Sequence, residues 1–209
     1  MSKDFKELLI VAATHKEIKP IIGNRKDVFF ELNPLIDVLV TGVGVMPTIY
    51  HLTDVLCRKR YSLVLNVGVA GSFTKNLAIG DLVEVVSDTL VSAGKIVQKK
   101  FVSMFDAGFW GENEYPFLSS ILKNDKHFKD LPSVKAVTTS IIGLEKYPSF
   151  DYTAEIETME GAAFFYTCMK KKYNCAAIRA ISNFVNDDEW DMEKAVQNLC
   201  SYVSNRFLK

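Results

Sequence analysis

Two carboxylates and an amide stand where an α/β chain collects its chemistry. Glu160 lies in Glu157-Thr158-Met159-Glu160-Gly161-Ala162-Ala163, where an apolar helix begins. A carboxylate there is favoured by the helix's partial positive charge and is expected to stay ionised. Ionised, it only accepts hydrogen bonds, so two sugar hydroxyls can donate to its two oxygens. The position equally suits a first-turn Glu that steadies its own helix. Glu17 follows the first apolar run, in Ala12-Ala13-Thr14-His15-Lys16-Glu17-Ile18. It can take a proton from an attacking water, general-base work worth roughly a hundred- to ten-thousandfold in rate. A solvated Glu in a helix's first turn reads the same way. Asn183 ends Arg179-Ala180-Ile181-Ser182-Asn183. Its amide offers one acceptor and two donors, enough to bracket the edge of a heterocycle, unless it only makes an Asx turn leaving the strand.

Elements that could position these groups alternate along the chain. Apolar, β-branched runs at Leu8–Val11, Ile36–Val40, Leu63–Leu65, Leu82–Val86, Val134–Val137 and Ala176–Ile181 read as strands buried on both faces. Helical spacing runs from Met46 to Arg60, Gly161 to Tyr173 and Met192 to Phe207, with Asp191 as N-cap. The alternation predicts a three-layer α/β/α domain with a largely parallel sheet and sites at the carboxyl ends of the strands. Two glycine-rich turns follow strands, Thr41-Gly42-Val43-Gly44 and Asn66-Val67-Gly68-Val69-Ala70-Gly71, and each lets backbone approach a ligand. Pro47 takes the third glycine place of G-x-G-x-x-G and no P-loop lysine follows either turn, which argues against a dinucleotide or triphosphate. From about Val91 to Asp130 the rhythm breaks into an aromatic stretch too long for a plain connector.

Bulk properties narrow the partners. The 25 basic and 25 acidic residues cancel and no basic run exceeds Lys170-Lys171-Lys172, so neither nucleic acid nor a membrane surface is expected as a partner. The N-terminal residues are charged, and nowhere do about 18 apolar residues run together, so a cytoplasmic protein is expected. Cys57, Cys168, Cys175 and Cys200 are widely spaced and read as reduced thiols rather than metal ligands. At 209 residues, without repeats or a Pro/Ser-rich linker, the chain reads as one domain over 1–209.

Together these segments resemble the nucleoside phosphorylase/nucleosidase superfamily, through Ala12–Ile18, Thr41–Val45, Asn66–Gly71 with Gly80-Asp81-Leu82-Val83, Met159–Ala163 and Arg179–Asn183 in chain order. The resemblance implies a twisted mixed sheet flanked by helices, assembled as a homodimer or larger homo-oligomer. It implies that Met159 and Glu160 bind a ribose, that Ala70 and Gly71 lie beneath base and sugar, and that Glu17 activates water. Asn183 falls where nucleosidases acting on adenine nucleosides normally carry aspartate. An aspartic acid can protonate purine N7, whereas an amide can only hydrogen-bond, accepting from N7–H and donating to O6 of a 6-oxopurine. Ser182 and Arg179 are then expected to position Asn183. The phosphorylase branch's Gly-rich phosphate loop and arginines have no counterpart in Ala12–Ile18. The words Glu157–Phe165 and Arg179–Val185, with Phe101–Phe117, resemble the futalosine hydrolase branch, which releases hypoxanthine from futalosine in menaquinone synthesis. The aromatic stretch would then wall the carboxyphenyl group, form an interface, or both. No metal or organic cofactor is implied. Alternatives are a methylthioadenosine/S-adenosylhomocysteine nucleosidase, an inosine-type phosphorylase, and a non-catalytic nucleoside-binding protein.

Overall fold

The computed structural model describes residues 5–141 and 153–208. In chain order its elements are β1 (Phe5–Ala12), α1 (Lys19–Ile22), β2 (Phe29–Asn33), β3 (Ile36–Val40), α2 (Val45–Arg58), β4 (Arg60–Ser72), β5 (Leu82–Leu90), β6 (Gly94–Val97), β7 (Lys100–Ser103), β8 (Phe117–Leu118), β9 (Ile121–Lys123), β10 (Ser133–Thr138), β11 (Ile156–Thr158), α3 (Gly161–Lys170), β12 (Cys175–Phe184) and α4 (Met192–Phe207). Each apolar run expected to be a strand lies inside one. The three expected helices form α2, α3 and α4, and the Asp191 side chain caps α4 by accepting from the Lys194 N–H.

The apolar runs are uninterrupted because the sheet is covered on both sides. Along β1, Leu9 and Val11 enter one core while Leu8, Ile10 and Ala12 enter the other, as a strand's period of two requires. The first core takes Leu52, Val55 and Leu56 from α2 and Phe164, Phe165 and Cys168 from α3. The second takes Ile22 from α1 and Ala195, Leu199 and Val203 from α4. Helical spacing explains the split: the inward residues of α2 and α4 recur at steps of three and four along one stripe.

The topology corrects the expectation of a three-layer domain on a largely parallel sheet: the sheet closes on itself. The pairs β1·β3, β1·β4, β4·β12, β5·β10 and β10·β11 are parallel. Two antiparallel joints, β11 with β4 and β12 with β5, then link β4, β11, β10, β5 and β12 into a closed ring. The remaining edge pairings, β2 on β3, β9 on β5 and β8 on β9, are antiparallel as well, so the sheet is mixed, as the resemblance implied. A second correction concerns Asn66–Gly71, which is no turn: β4 runs straight through it, because β12 hydrogen-bonds along it from Val64 to Ser72. The first glycine segment is a turn, with Gly42 and Gly44 at φ of 89° and 95°, the left-handed region that favours glycine. No helix among the described residues is long and apolar enough to cross a membrane.

Candidate active site

The carboxyl end of β4 organises the site. Gly71 pairs with Glu157 of β11 on one side and with Asn183 of β12 on the other. The β12 register shifts between Ile181 and Asn183, so Ser182 is the extra residue of a bulge, a device that re-aims side chains at strand ends. Gly71 has little room for a side chain: an added Cβ would lie 3.2 Å from Val185, 3.3 Å from Asn183 Nδ2 and 3.3 Å from Glu157.

Glu17 sits in the turn after β1 and is buried rather than solvated. Its Oε2 accepts from the Thr14 N–H at 2.8 Å and the Thr14 hydroxyl at 2.9 Å, while its Oε1 accepts from the Val69 N–H at 3.3 Å. Gly68 makes room for it, since a Cβ there would come 2.7 Å from Oε1. The same missing side chain faces Arg179 Nη1, at 3.8 Å, so carboxylate and guanidinium share one slot under β4.

Glu160 takes the N-cap position of α3, and its Oε1 accepts from the Gly44 N–H at 2.7 Å. The left-handed glycine turn after β3 thus delivers a backbone donor to this carboxylate instead of to a ligand. Burial pushes the Glu160 pKa above the ordinary carboxylate value, opposed by the Gly44 N–H and by Arg179, with Glu17 adding repulsion. Desolvation is the largest of these influences on the carboxylate.

The Asn183 Oδ1 accepts from the Ser182 hydroxyl at 2.9 Å and its Nδ2 donates to the Phe184 carbonyl at 3.2 Å. One lone pair and one amide hydrogen remain for a ligand. Arg179 makes no hydrogen bond to Asn183 among the described residues. Its guanidinium is buried and donates to the Asn66 side chain, to the Asn66 carbonyl at 3.4 Å and to the Ile178 carbonyl at 3.1 Å. Burial lowers its pKa, and Glu160, Glu17 and Asp88 all pull the other way, which places it as the shared counter-charge beneath the site.

Glu17, Ala70, Gly71, Met159, Glu160, Ser182 and Asn183 all line one cavity of 650 Å³. Arg179 lies behind its wall. Residues that sequence reasoning passed over complete the lining, chiefly Thr14, Lys16, Glu157 and Trp190. The aromatic stretch does not reach it. Phe105, Trp110 and Phe117 pack on one another and on Tyr166 of α3, and Trp110, Tyr115 and Phe117 line a separate cavity of 390 Å³ with Tyr166 and Lys170.

No family model and no curated protein matches the chain. Solved structures do. Futalosine hydrolase of Helicobacter pylori superposes with a TM-score of 0.73 at 20% identity, covering 95% of this chain and 96% of that one. A Helicobacter pylori 5′-methylthioadenosine/S-adenosylhomocysteine nucleosidase in complex with butyl-thio-DADMe-Immucillin-A gives 0.75 at 18% identity, over 96% and 97% of the chains. A Chlamydia trachomatis nucleosidase of the same kind gives 0.67 at 16% identity, over 98% of each chain. Likeness at such identities is likeness of fold: the chain has the fold shared by the futalosine hydrolase and the methylthioadenosine/S-adenosylhomocysteine nucleosidases of the nucleoside phosphorylase/nucleosidase superfamily.

Proposed function

We propose that this chain hydrolyses the N-glycosidic bond of a purine nucleoside, and that the nucleoside is futalosine, released as hypoxanthine and the dehypoxanthinyl sugar. One observation carries the reading. Glu17, Glu160 and Asn183, from three distant stretches of sequence, line a single cavity beside Ala70, Gly71 and Met159. In this reading Glu160 holds the ribose hydroxyls and favours the positive charge that grows on the sugar as the C1′–N9 bond breaks. Glu17, fixed by Thr14 and Val69, orients a water on the face opposite the base and takes its proton. Asn183, turned by Ser182, donates to O6 of the 6-oxopurine as it departs with the C1′–N9 electron pair and, once solvent has protonated the base at N7, accepts from N7–H. The charge of the wall favours water over phosphate as the attacking group. Among the described residues lining the cavity, Lys16 is the single lysine or arginine, against Glu17, Glu157, Glu160, Asp187 and Asp188. Lys16 is also the group available to meet a carboxylate carried by the substrate. Fold alone does not separate this reading from an adenine-releasing nucleosidase or a binding protein, so the weight rests on the amide at 183 and on the fixed acid at 17.

The test is base release from futalosine, methylthioadenosine and inosine, each with and without phosphate. Hypoxanthine from futalosine at a rate indifferent to phosphate is the expected result. Adenine released from methylthioadenosine would overturn the assignment of Asn183, a phosphate requirement would overturn hydrolysis, and binding without release would leave a nucleoside-binding protein.

We also infer that copies of this chain associate through the outer face of α2. Met46 and Tyr50 are 82% and 72% exposed there, and the face continues to Val43, which lines the cavity mouth. Exposed apolar side chains grouped on one helix face mark an interface more often than scattered ones do.

A further inference from the structure

After β12 the chain turns back on itself. Asn186 takes a left-handed conformation, φ 64°, and Trp190 then forms an antiparallel bridge with Asn183, next to the Asp191 N–H that donates to the Ser182 carbonyl at 2.9 Å. Residues directly opposite across an antiparallel bridge project from the same face with neighbouring Cβ atoms. The indole of Trp190 therefore stands beside the amide of Asn183, and both line the cavity. The rings of Phe105, Trp110 and Phe117, by contrast, pack on each other. Trp190 is 54% exposed, a large apolar surface left in water at a cavity mouth.

We propose that Trp190 is a stacking plate for a planar heteroaromatic ligand, the affinity-giving partner of Asn183: the amide reads the edge of the base and the indole covers its face. This rests on the reading of the cavity as a purine nucleoside site. A ring face beside an edge-reading amide adds affinity without adding hydrogen-bond selectivity, because every base has a π-face. Trp190 belongs to binding rather than to the bond-breaking step, so it acts on KM and on product affinity.

The chain has two tryptophans, which makes the test optical. A Trp110→Phe variant leaves Trp190 as sole emitter, and Trp110 lies in the other cavity. Titration of that variant with hypoxanthine is expected to quench its fluorescence saturably. Trp190→Ala is expected to raise KM for the hydrolysed nucleoside by roughly ten- to a hundredfold with kcat changed much less, and Trp190→Phe to recover most of the loss. Far-UV circular dichroism checks that the variants fold, as the exposed position leads one to expect. Linear, unsaturable quenching together with an unchanged KM in Trp190→Ala would overturn the proposal and leave the hydrolase reading intact. Saturable quenching by hypoxanthine in a protein that releases no base would sustain the plate and remove the hydrolase.

Discussion

Glu17 shows how much of this site is made by what is missing. Three donors hold its carboxylate, yet its place under Val69 exists because position 68 carries no side chain. The atom that a Cβ at 68 would strike, at 2.7 Å, is the far end of a flexible acid. A methyl group is thus accommodated by moving Glu17, at small cost to the fold and large cost to the geometry of proton transfer. Gly68→Ala is expected to leave thermal unfolding nearly unchanged while lowering kcat for base release at least tenfold; equal losses in both would show that the glycine serves the backbone alone. Glu17→Gln keeps the shape and removes the base, so kcat should fall by roughly a hundred- to ten-thousandfold with KM little changed. A kcat that survives this substitution would remove Glu17 from the chemistry. The candidate acids and the amide were legible in the sequence because each borders an apolar run. Trp190 was not, since nothing in Asn186-Asp187-Asp188-Glu189 announces a chain that doubles back, and Gly68 was hidden inside what reads as a turn.

The start of α3 is where element and charge meet. Thr138 of β10 bridges it to β5: its hydroxyl accepts from the Ala162 N–H at 2.7 Å and donates to Asp88 Oδ1 at 2.7 Å. Asp88 Oδ2 has no hydrogen-bond partner among the described residues and lies against Gly161, where a Cβ would come within 2.1 Å of it. Burial raises the Asp88 pKa from 3.8 to about 7, with the Thr138 hydroxyl and Arg179 opposing and Glu160 adding to the rise. Between those values the native state keeps a proton that the unfolded chain has released, so Asp88 makes stability fall as pH rises across that window. The slope is up to about 1.4 kcal/mol per pH unit. Urea unfolding from pH 4 to 8 should show Asp88→Asn with a flatter or rising profile over the same range; an identical slope would mean that Asp88 is ionised throughout. The elements themselves were readable from period-two and helical patterns, except where they are too short to have a period. β11 has three residues, and the joints it and β12 make with β4 and β5 are long-range pairings that close the ring. Local pattern carries no record of them, and hence the expected three-layer, largely parallel sheet did not include a closed ring.

At the scale of the whole molecule, two surfaces contend for the aromatic residues. The cavity with Glu17 and Glu160 opens beside Val43, and from there the outer face of α2 carries Met46, Ile49 and Tyr50 toward the groove of Trp110, Tyr115 and Phe117. Val45 and Ile49 line that groove, so α2 joins the mouth of one cavity to the wall of the other. Water contact over so continuous an apolar strip is costly, about 25 cal/mol for each Å² that a second copy would cover. The inward residues of α2, Thr48, Leu52, Val55 and Leu56, are already packed, which leaves the outward ones free to change without disturbing the core. Met46→Glu, with Tyr50→Lys as an independent variant, is therefore expected to preserve folding and shift sedimentation from dimer or larger to monomer. If the wall of the substrate cavity is shared between copies through Val43, the monomer should also lose base release in proportion to dissociation, and activity should recover as protein concentration rises. A wild-type chain that sediments as a monomer at every concentration, or charged variants that remain assembled, would assign the α2 face to some other partner and leave the cavity of Glu17, Glu160 and Asn183 complete within one chain.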